Sequence, residues 1–202
     1  MDPNTPPPAL STLAAFPRLQ DPIRRSLAAQ AHRVAERTAR FIPRPALLRS
    51  LDERIRASAG GLITLEGPPG SGATALLCHL AATRPYAVWL PDDDAGAGLE
   101  ALCAQLLALH DLPIALVPPA AGRDATTLER LLAEAGARRR PDDPLVALIG
   151  RAPDDQAAPF APPFPAAIPP GVVIVLASTP RARPPVSVAA RLTLPARGVQ
   201  LE

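Results

Sequence analysis

The 202-residue chain contains no lysine: all 21 of its basic residues are arginine. A function that normally uses a lysine must therefore do without it or use an arginine. Aromatic residues are also few, at 3% of the chain, so the apolar core must be built from alanine, leucine, valine and isoleucine. A chain of this length suits one domain with appendages.

Low net charge, few cysteines and short apolar runs argue against several classes of protein. The net charge is +2 and the arginines are scattered, which makes nucleic-acid binding unlikely as the main activity. Cys78 and Cys103 lie in apolar helical patterns without metal-ligand spacing, which predicts buried thiols in a reducing cytosol. The N-terminal stretch has neither the basic start nor the continuous apolar core expected of a signal peptide, and no run approaches the ~20 apolar residues of a membrane span. These features predict a cytoplasmic protein with no membrane segment.

Apolar runs and hydrophobic periodicity predict strands that alternate with helices. A helix from Asp21 to about Arg40 precedes a leucine-rich helix around residues 47–55. The predicted strands are 62–66, 86–90, 145–149, 172–177 and 191–194. This order predicts an α/β fold, a three-layer α/β/α sandwich with a mostly parallel five-stranded sheet behind an N-terminal helix.

The N-terminal helix carries a basic stripe. Arg33, Arg37 and Arg40 follow one another at helical spacing, so they share a face. This face is either solvated or in contact with an acidic partner or a neighbouring domain.

Residues 62–82 run from an apolar strand, through a glycine-rich loop, into an apolar helix. Their layout follows the phosphate-binding pattern G-x-x-x-x-G-K-[ST]. Gly67, Gly70 and Gly72 let the backbone adopt positive φ and approach phosphate oxygens closely, so that successive N–H groups point into one concavity. The helix that follows adds the positive end of its dipole. The stretch predicts an anion cradle made of backbone.

Ala73 occupies the lysine position of this motif. The lysine normally bridges the β- and γ-phosphates, and losing one side of such a charged pair costs roughly 2–5 kcal/mol. Weak nucleotide binding is therefore expected unless an arginine compensates, and Arg44 and Arg181 are the candidates. Thr74 retains the hydroxyl that would ligate Mg²⁺.

A second loss affects the strand 145–149, where P-loop enzymes place an aspartate that holds the Mg²⁺ shell. Here the strand runs into Gly150 and Arg151. Asp154 and Asp155 follow in the next loop, either as a group that activates water or as a solvated pair. The two losses together favour natural decay of the catalytic apparatus.

Four segments in this order resemble the NTPase domains of the STAND and AAA-type P-loop families. They are the box Phe41-Ile-Pro-Arg44, the loop GPPGSGAT, the strand region PLVALIGRAPDD and the strand region VVIVLASTPRARP. The resemblance spans roughly residues 41–195, which leaves 1–40 as a Pro-rich lead-in with a helix and 196–202 as a tail. It implies ATP or ADP with Mg²⁺ as ligand, and the helical lid of such families is not expected in this chain.

The resemblance also implies roles for individual residues. The phosphate loop is matched by Gly67, Gly70, Ser71, Gly72 and Thr74, with Ala73 in the lysine position. Arg44 matches the box residue near the base and ribose, although Pro43 replaces the family's glycine. Ser178 or Thr179 takes the sensor position, and Arg181 is displaced by one residue from the family's arginine.

Three hypotheses follow from these features. The leading one is a degenerate P-loop domain, a pseudo-NTPase that acts as a regulatory or interaction module, with protein partners or self-association implied by the resemblance. The second is a slow ATPase that uses Thr74, one of Asp154 and Asp155, and an arginine. The third is a scaffold that keeps the glycine loop only because the fold needs its turn.

Overall fold

The computed structural model describes residues 21–90, 95–110, 112, 125–140, 143–150, 165, 167–178 and 187–194. The helices are α1 Asp21–Ala39, α2 Pro45–Ala57, α3 Ala73–Thr83, α4 Ala95–Leu109 and α5 Ala125–Ala137. The strands are β1 Gly61–Glu66, β2 Ala87–Trp89, β3 Leu145–Ile149, β4 Val172–Ser178 and β5 Val188–Thr193.

The five strands form one parallel sheet in the order β2-β3-β4-β1-β5. Every residue of β2, β3 and β4 is buried, as expected for parallel strands covered on both faces. Helices α1, α2 and α3 pack against one face of the sheet, and α4 and α5 pack against the other. The predicted α/β sandwich with an N-terminal helix is therefore confirmed.

The predicted bounds differ from the structure for four strands. β1 and β4 each extend one residue beyond the prediction, and the two short strands differ more. The strand predicted at 86–90 is limited to Ala87–Trp89, because the backbone groups of Leu90 pair with a side chain instead of a strand. The strand predicted at 191–194 covers Val188–Thr193. Only Leu192 is buried in β5, so the apolar pattern of this edge strand is weak. Its bounds are set by its pairing with β1.

Two glutamine side chains cover the outer edge of β2. The Gln105 amide of α4 accepts a hydrogen bond from Val88 N–H at 2.9 Å and donates one to Val88 C=O at 2.8 Å. The Gln30 amide of α1 does the same for Leu90, at 2.9 and 3.1 Å. Both glutamines are fully buried. They satisfy edge groups that would otherwise be unpaired, and they hold α1 and α4 in place.

A close backbone contact fixes α5 against the start of β4. Gly136 lies near the end of α5, and a Cβ added to it would be 2.7 Å from both the Pro170 carbonyl oxygen and Val172 Cγ2. Gly171, with φ +76°, faces it, and a Cβ there would lie 2.7 Å from the Gly136 oxygen. Only glycine lets these two backbones approach so closely.

Candidate functional site

The glycine loop joins the carboxyl end of β1 to the start of α3. Gly70 has φ +80° and Gly72 has φ +90°, in the left-handed region that glycine adopts without strain. The turn is closed by a hydrogen bond from Ser71 N–H to Pro68 C=O at 3.0 Å. Gly67 is required for another reason, since a Cβ there would lie 2.5 Å from Ser71 Oγ. Positive φ is therefore confirmed at Gly70 and Gly72, but the prediction of positive φ at Gly67 is wrong, since that position is restricted to glycine by its contact with Ser71.

The start of α3 has no side-chain cap. Gly72 is the N-cap residue and no side chain bonds the first turn. The first hydrogen bond of the helical ladder runs from Leu76 N–H to Gly72 C=O at 2.9 Å. The N–H groups of Ala73, Thr74 and Ala75 therefore precede the ladder, and in a helix such donors are available to an anion.

These donors open onto a cavity of about 260 Å³ at the carboxyl edge of the sheet. Its walls are formed by residues 67–75 of the loop and α3, by Ala177 and Ser178 of β4, and by Arg37 of α1. Ser178 C=O also accepts a hydrogen bond from Gly67 N–H at 3.2 Å, which ties β4 to the loop. Ligands of open parallel sheets bind at this edge.

Arg37 is a cavity residue that the sequence-based candidates for lysine replacement did not include. It lies in the last turn of α1, and it is the one charged side chain on the described wall. Burial raises the pKa of the Cys78 thiol to about 12, while the positive charges of Arg37 and Arg33 act to lower it. Arg33 and Arg37 of the basic stripe are therefore close enough to α3 to act on Cys78, whereas the spacing of the stripe left open whether it is solvated or in contact with a neighbour.

Arg44 lies close to Gly72. Its Nη2 atom is 4.0 Å from the position that a Gly72 Cβ would occupy. Its Nη1 atom is buried and has no hydrogen-bond partner among the described residues. The preceding linker is held by Phe41, whose ring stacks on His79 of α3 with centroids 4.7 Å apart. Arg44 therefore lies near the loop but does not belong to the described cavity wall, and its predicted role stays a prediction.

The remaining predicted site residues divide into two groups. Ser71, Ala73, Thr74 and Ser178 lie on the cavity wall. Asp154, Asp155, Thr179 and Arg181 lie outside the described residues. Their predicted roles remain predictions.

P-loop enzymes place an aspartate after the strand that corresponds to β3, but no acid stands at the end of β3 in this protein. Gly150 follows β3, and its N–H bonds Trp89 C=O at 2.7 Å. The carboxylate nearest the loop in sequence is Glu66, which accepts hydrogen bonds from Arg191 at 2.8 Å and Thr64 at 3.3 Å. Glu66 is absent from the described cavity wall. Within the described ranges, no three His, Cys, Asp or Glu side chains form a metal-binding group.

The two cysteines do not contribute chemistry to the site. Cys78 and Cys103 are both buried and form no disulfide, as the sequence predicted. Burial raises the pKa of Cys103, like that of Cys78, to about 12. Both remain protonated at neutral pH and are therefore poor nucleophiles.

A second cavity of about 430 Å³ lies at the opposite edge of the sheet, near the amino ends of β2 and β3. Arg84 and Arg139 line it, but each is already paired, with Asp52 and Asp143 respectively. Burial lowers the pKa of His110 in this cavity to about 4, so its imidazole is neutral at pH 7. Among the described residues of its wall, this cavity therefore has no arginine without a carboxylate partner.

No helix in the described part of the chain is long and apolar enough to cross a membrane. Comparison with protein-family models gives no match, and the search of curated proteins finds no significantly similar sequence.

Proposed function

We propose that this protein binds the phosphate chain of a nucleotide, ATP or ADP, in the cavity at the glycine loop, and that it does not hydrolyse it efficiently. The observation that carries the proposal is the wall of the cavity. Backbone and small side chains form most of it, an uncapped helix begins in it, and its described part has one cation and no carboxylate. Such a surface favours an anion.

The proposal places the protein among degenerate P-loop domains of the STAND and AAA type. The sheet order brings the carboxyl ends of β1 and β4 side by side, where a phosphate loop and a sensor strand need to meet. Gly150 supports impaired hydrolysis, because a glycine has no side chain to hold a Mg²⁺ shell. In this hypothesis Thr74 ligates Mg²⁺, and the domain is a cytoplasmic regulatory module that acts through protein partners or self-association.

Titration with ATP and ADP, with and without Mg²⁺, tests the proposed function. Loss of the lysine contact lowers affinity by about 30- to several-thousand-fold, so weak binding is expected. At a ligand concentration tenfold above Kd, binding stabilises the fold by about 1.4 kcal/mol. This corresponds to a rise of about 3–6 °C in melting temperature. No phosphate release is expected over hours.

The control is Ala73→Glu, which separates ligand binding from folding. A carboxylate in the first turn of α3 stabilises the helix by about 0.3–1 kcal/mol but repels phosphate. The variant should melt at or above the wild-type temperature without ligand and lose the ligand-induced rise. Equal ligand-induced rises in both proteins, or no binding by the wild type at millimolar nucleotide, would contradict the proposal. The second result would favour the scaffold hypothesis.

A further inference from the structure

The cavity at the glycine loop lacks the lysine of its motif, yet its described wall includes one cationic side chain. That side chain is Arg37, 36 residues before Ala73 in the sequence and on a different helix. Because the loop and Arg37 are distant in sequence, only the packing of α1 brings them together.

The position of Arg37 is fixed by the buried face of α1. Val34 is fully buried, and Gln30 is anchored to Leu90 by two hydrogen bonds. Arg37 follows Val34 by three residues, so it lies about one turn further on a neighbouring part of the helix surface. The helix is therefore held at two points before it reaches the cavity.

Arg37 is not neutralised by a carboxylate of the described residues. On the same helix, Glu36 pairs with Arg40 at 3.9 Å. Arg33 donates from Nε to Ala29 C=O at 3.3 Å. Arg84, Arg139 and Arg191 have their own carboxylate partners elsewhere in the fold. The charge of Arg37 is thus available to an anion in the cavity.

We propose that Arg37 takes the place of the missing lysine and contacts the phosphate chain of the ligand directly. The inference rests on the proposed function and assigns the cation of that site to α1. Arg44, whose buried Nη1 has no hydrogen-bond partner among the described residues and whose Nη2 lies near Gly72, adds a second positive charge close to the loop. The lysine of the motif reaches the β- and γ-phosphates, so an arginine in its place favours a ligand that carries at least two phosphates.

The test compares Arg37→Ala with Arg40→Ala. Both residues are exposed arginines near the end of α1, so both variants should fold, and melting temperatures without ligand check this. Calorimetric titrations use ATP, ADP and inorganic tripolyphosphate as probes. Arg37→Ala should weaken each by about tenfold or more, the usual effect of losing a charged hydrogen bond. Arg40→Ala should change each by less than twofold. Arg37→Lys keeps the charge but not the guanidinium geometry, so its affinity should lie between those of Arg37→Ala and the wild type.

A double variant tests whether the two cations serve the same phosphates. Ala73→Lys combined with Arg37→Ala restores the lysine of the motif, and it should recover most of the affinity lost in Arg37→Ala. Failure to recover would overturn the inference, as would equal affinities of Arg37→Ala and Arg40→Ala. A loss limited to ATP and ADP, with tripolyphosphate unaffected, would also overturn it, because Arg37 would then contact the nucleoside. In these cases the wild type still binds and the proposed function stands, whereas absence of wild-type binding refutes both.

Discussion

Replacement of Gln105 by leucine is expected to lower the free energy of unfolding by about 3 kcal/mol. The substitution removes both hydrogen bonds to Val88 and leaves a buried N–H and a buried C=O unpaired. Each unsatisfied buried group costs about 1–3 kcal/mol, and the added apolar surface of leucine offsets only part of this. The effect is large because one side chain satisfies two backbone groups of an edge strand.

Urea denaturation measures this effect. With a slope of about 1–3 kcal/mol per molar urea, the midpoint should fall by about 1–3 M. Glu134→Leu is the control, because Glu134 is an exposed polar residue of α5 and its replacement should stay within about 0.5 kcal/mol of wild type. Similar midpoints for the two variants would show that the glutamine does not stabilise the edge of β2.

Gly136→Val should destabilise the protein by a similar amount, about 3 kcal/mol. Valine forms helix only slightly better than glycine, and this gain is outweighed by contact with the Pro170 oxygen and Val172 at 2.7 Å. The oxygen belongs to the backbone, so it cannot move without shifting the entry into β4. The contact must be relieved by separating α5 from the sheet.

Thermal unfolding followed by circular dichroism tests this prediction. For a chain of this size, about 3 kcal/mol lowers the melting temperature by about 6–12 °C. Ala133→Val provides the matched control, since Ala133 is exposed on the same helix and loses only about 0.6 kcal/mol of helix propensity. If Gly136→Val melts no lower than this control, the close approach of the two backbones does not constrain the fold.

The parallel sheet could be predicted because each buried strand is marked by its own short run of apolar residues. The run Leu145–Ile149 is uninterrupted by polar residues, and such runs are typical of strands buried on both faces. The glycine loop could be predicted for a similar reason, since positive φ restricts the residue types allowed at Gly70 and Gly72. The bounds of the short edge strands were predicted less accurately, because pairing with the neighbouring strand decides where an edge strand begins and ends.

The hydrogen bonds of Gln30 and Gln105 and the position of Arg37 on the cavity wall could not be predicted from the sequence. Each glutamine bonds backbone groups that are distant in the sequence. Gln30 bonds Leu90, 60 residues away, and Gln105 bonds Val88, 17 residues away. Arg37 belongs to a basic stripe that is equally consistent with a solvated face. In each case the contact depends on how the helices pack. Helical spacing shows which residues share a face of the helix, but it does not show which other element that face will contact.

Amide chemical shifts test most directly whether residues 67–75 bind phosphate, as we propose. Tripolyphosphate is added to ¹⁵N-labelled protein while the backbone amides and arginine Nε groups are observed. We expect saturable shifts concentrated at Gly70, Gly72, Ala73 and Thr74 and at Arg37 Nε. Shifts that are absent at millimolar ligand, or that concentrate around His110 at the opposite edge of the sheet, would contradict the claim.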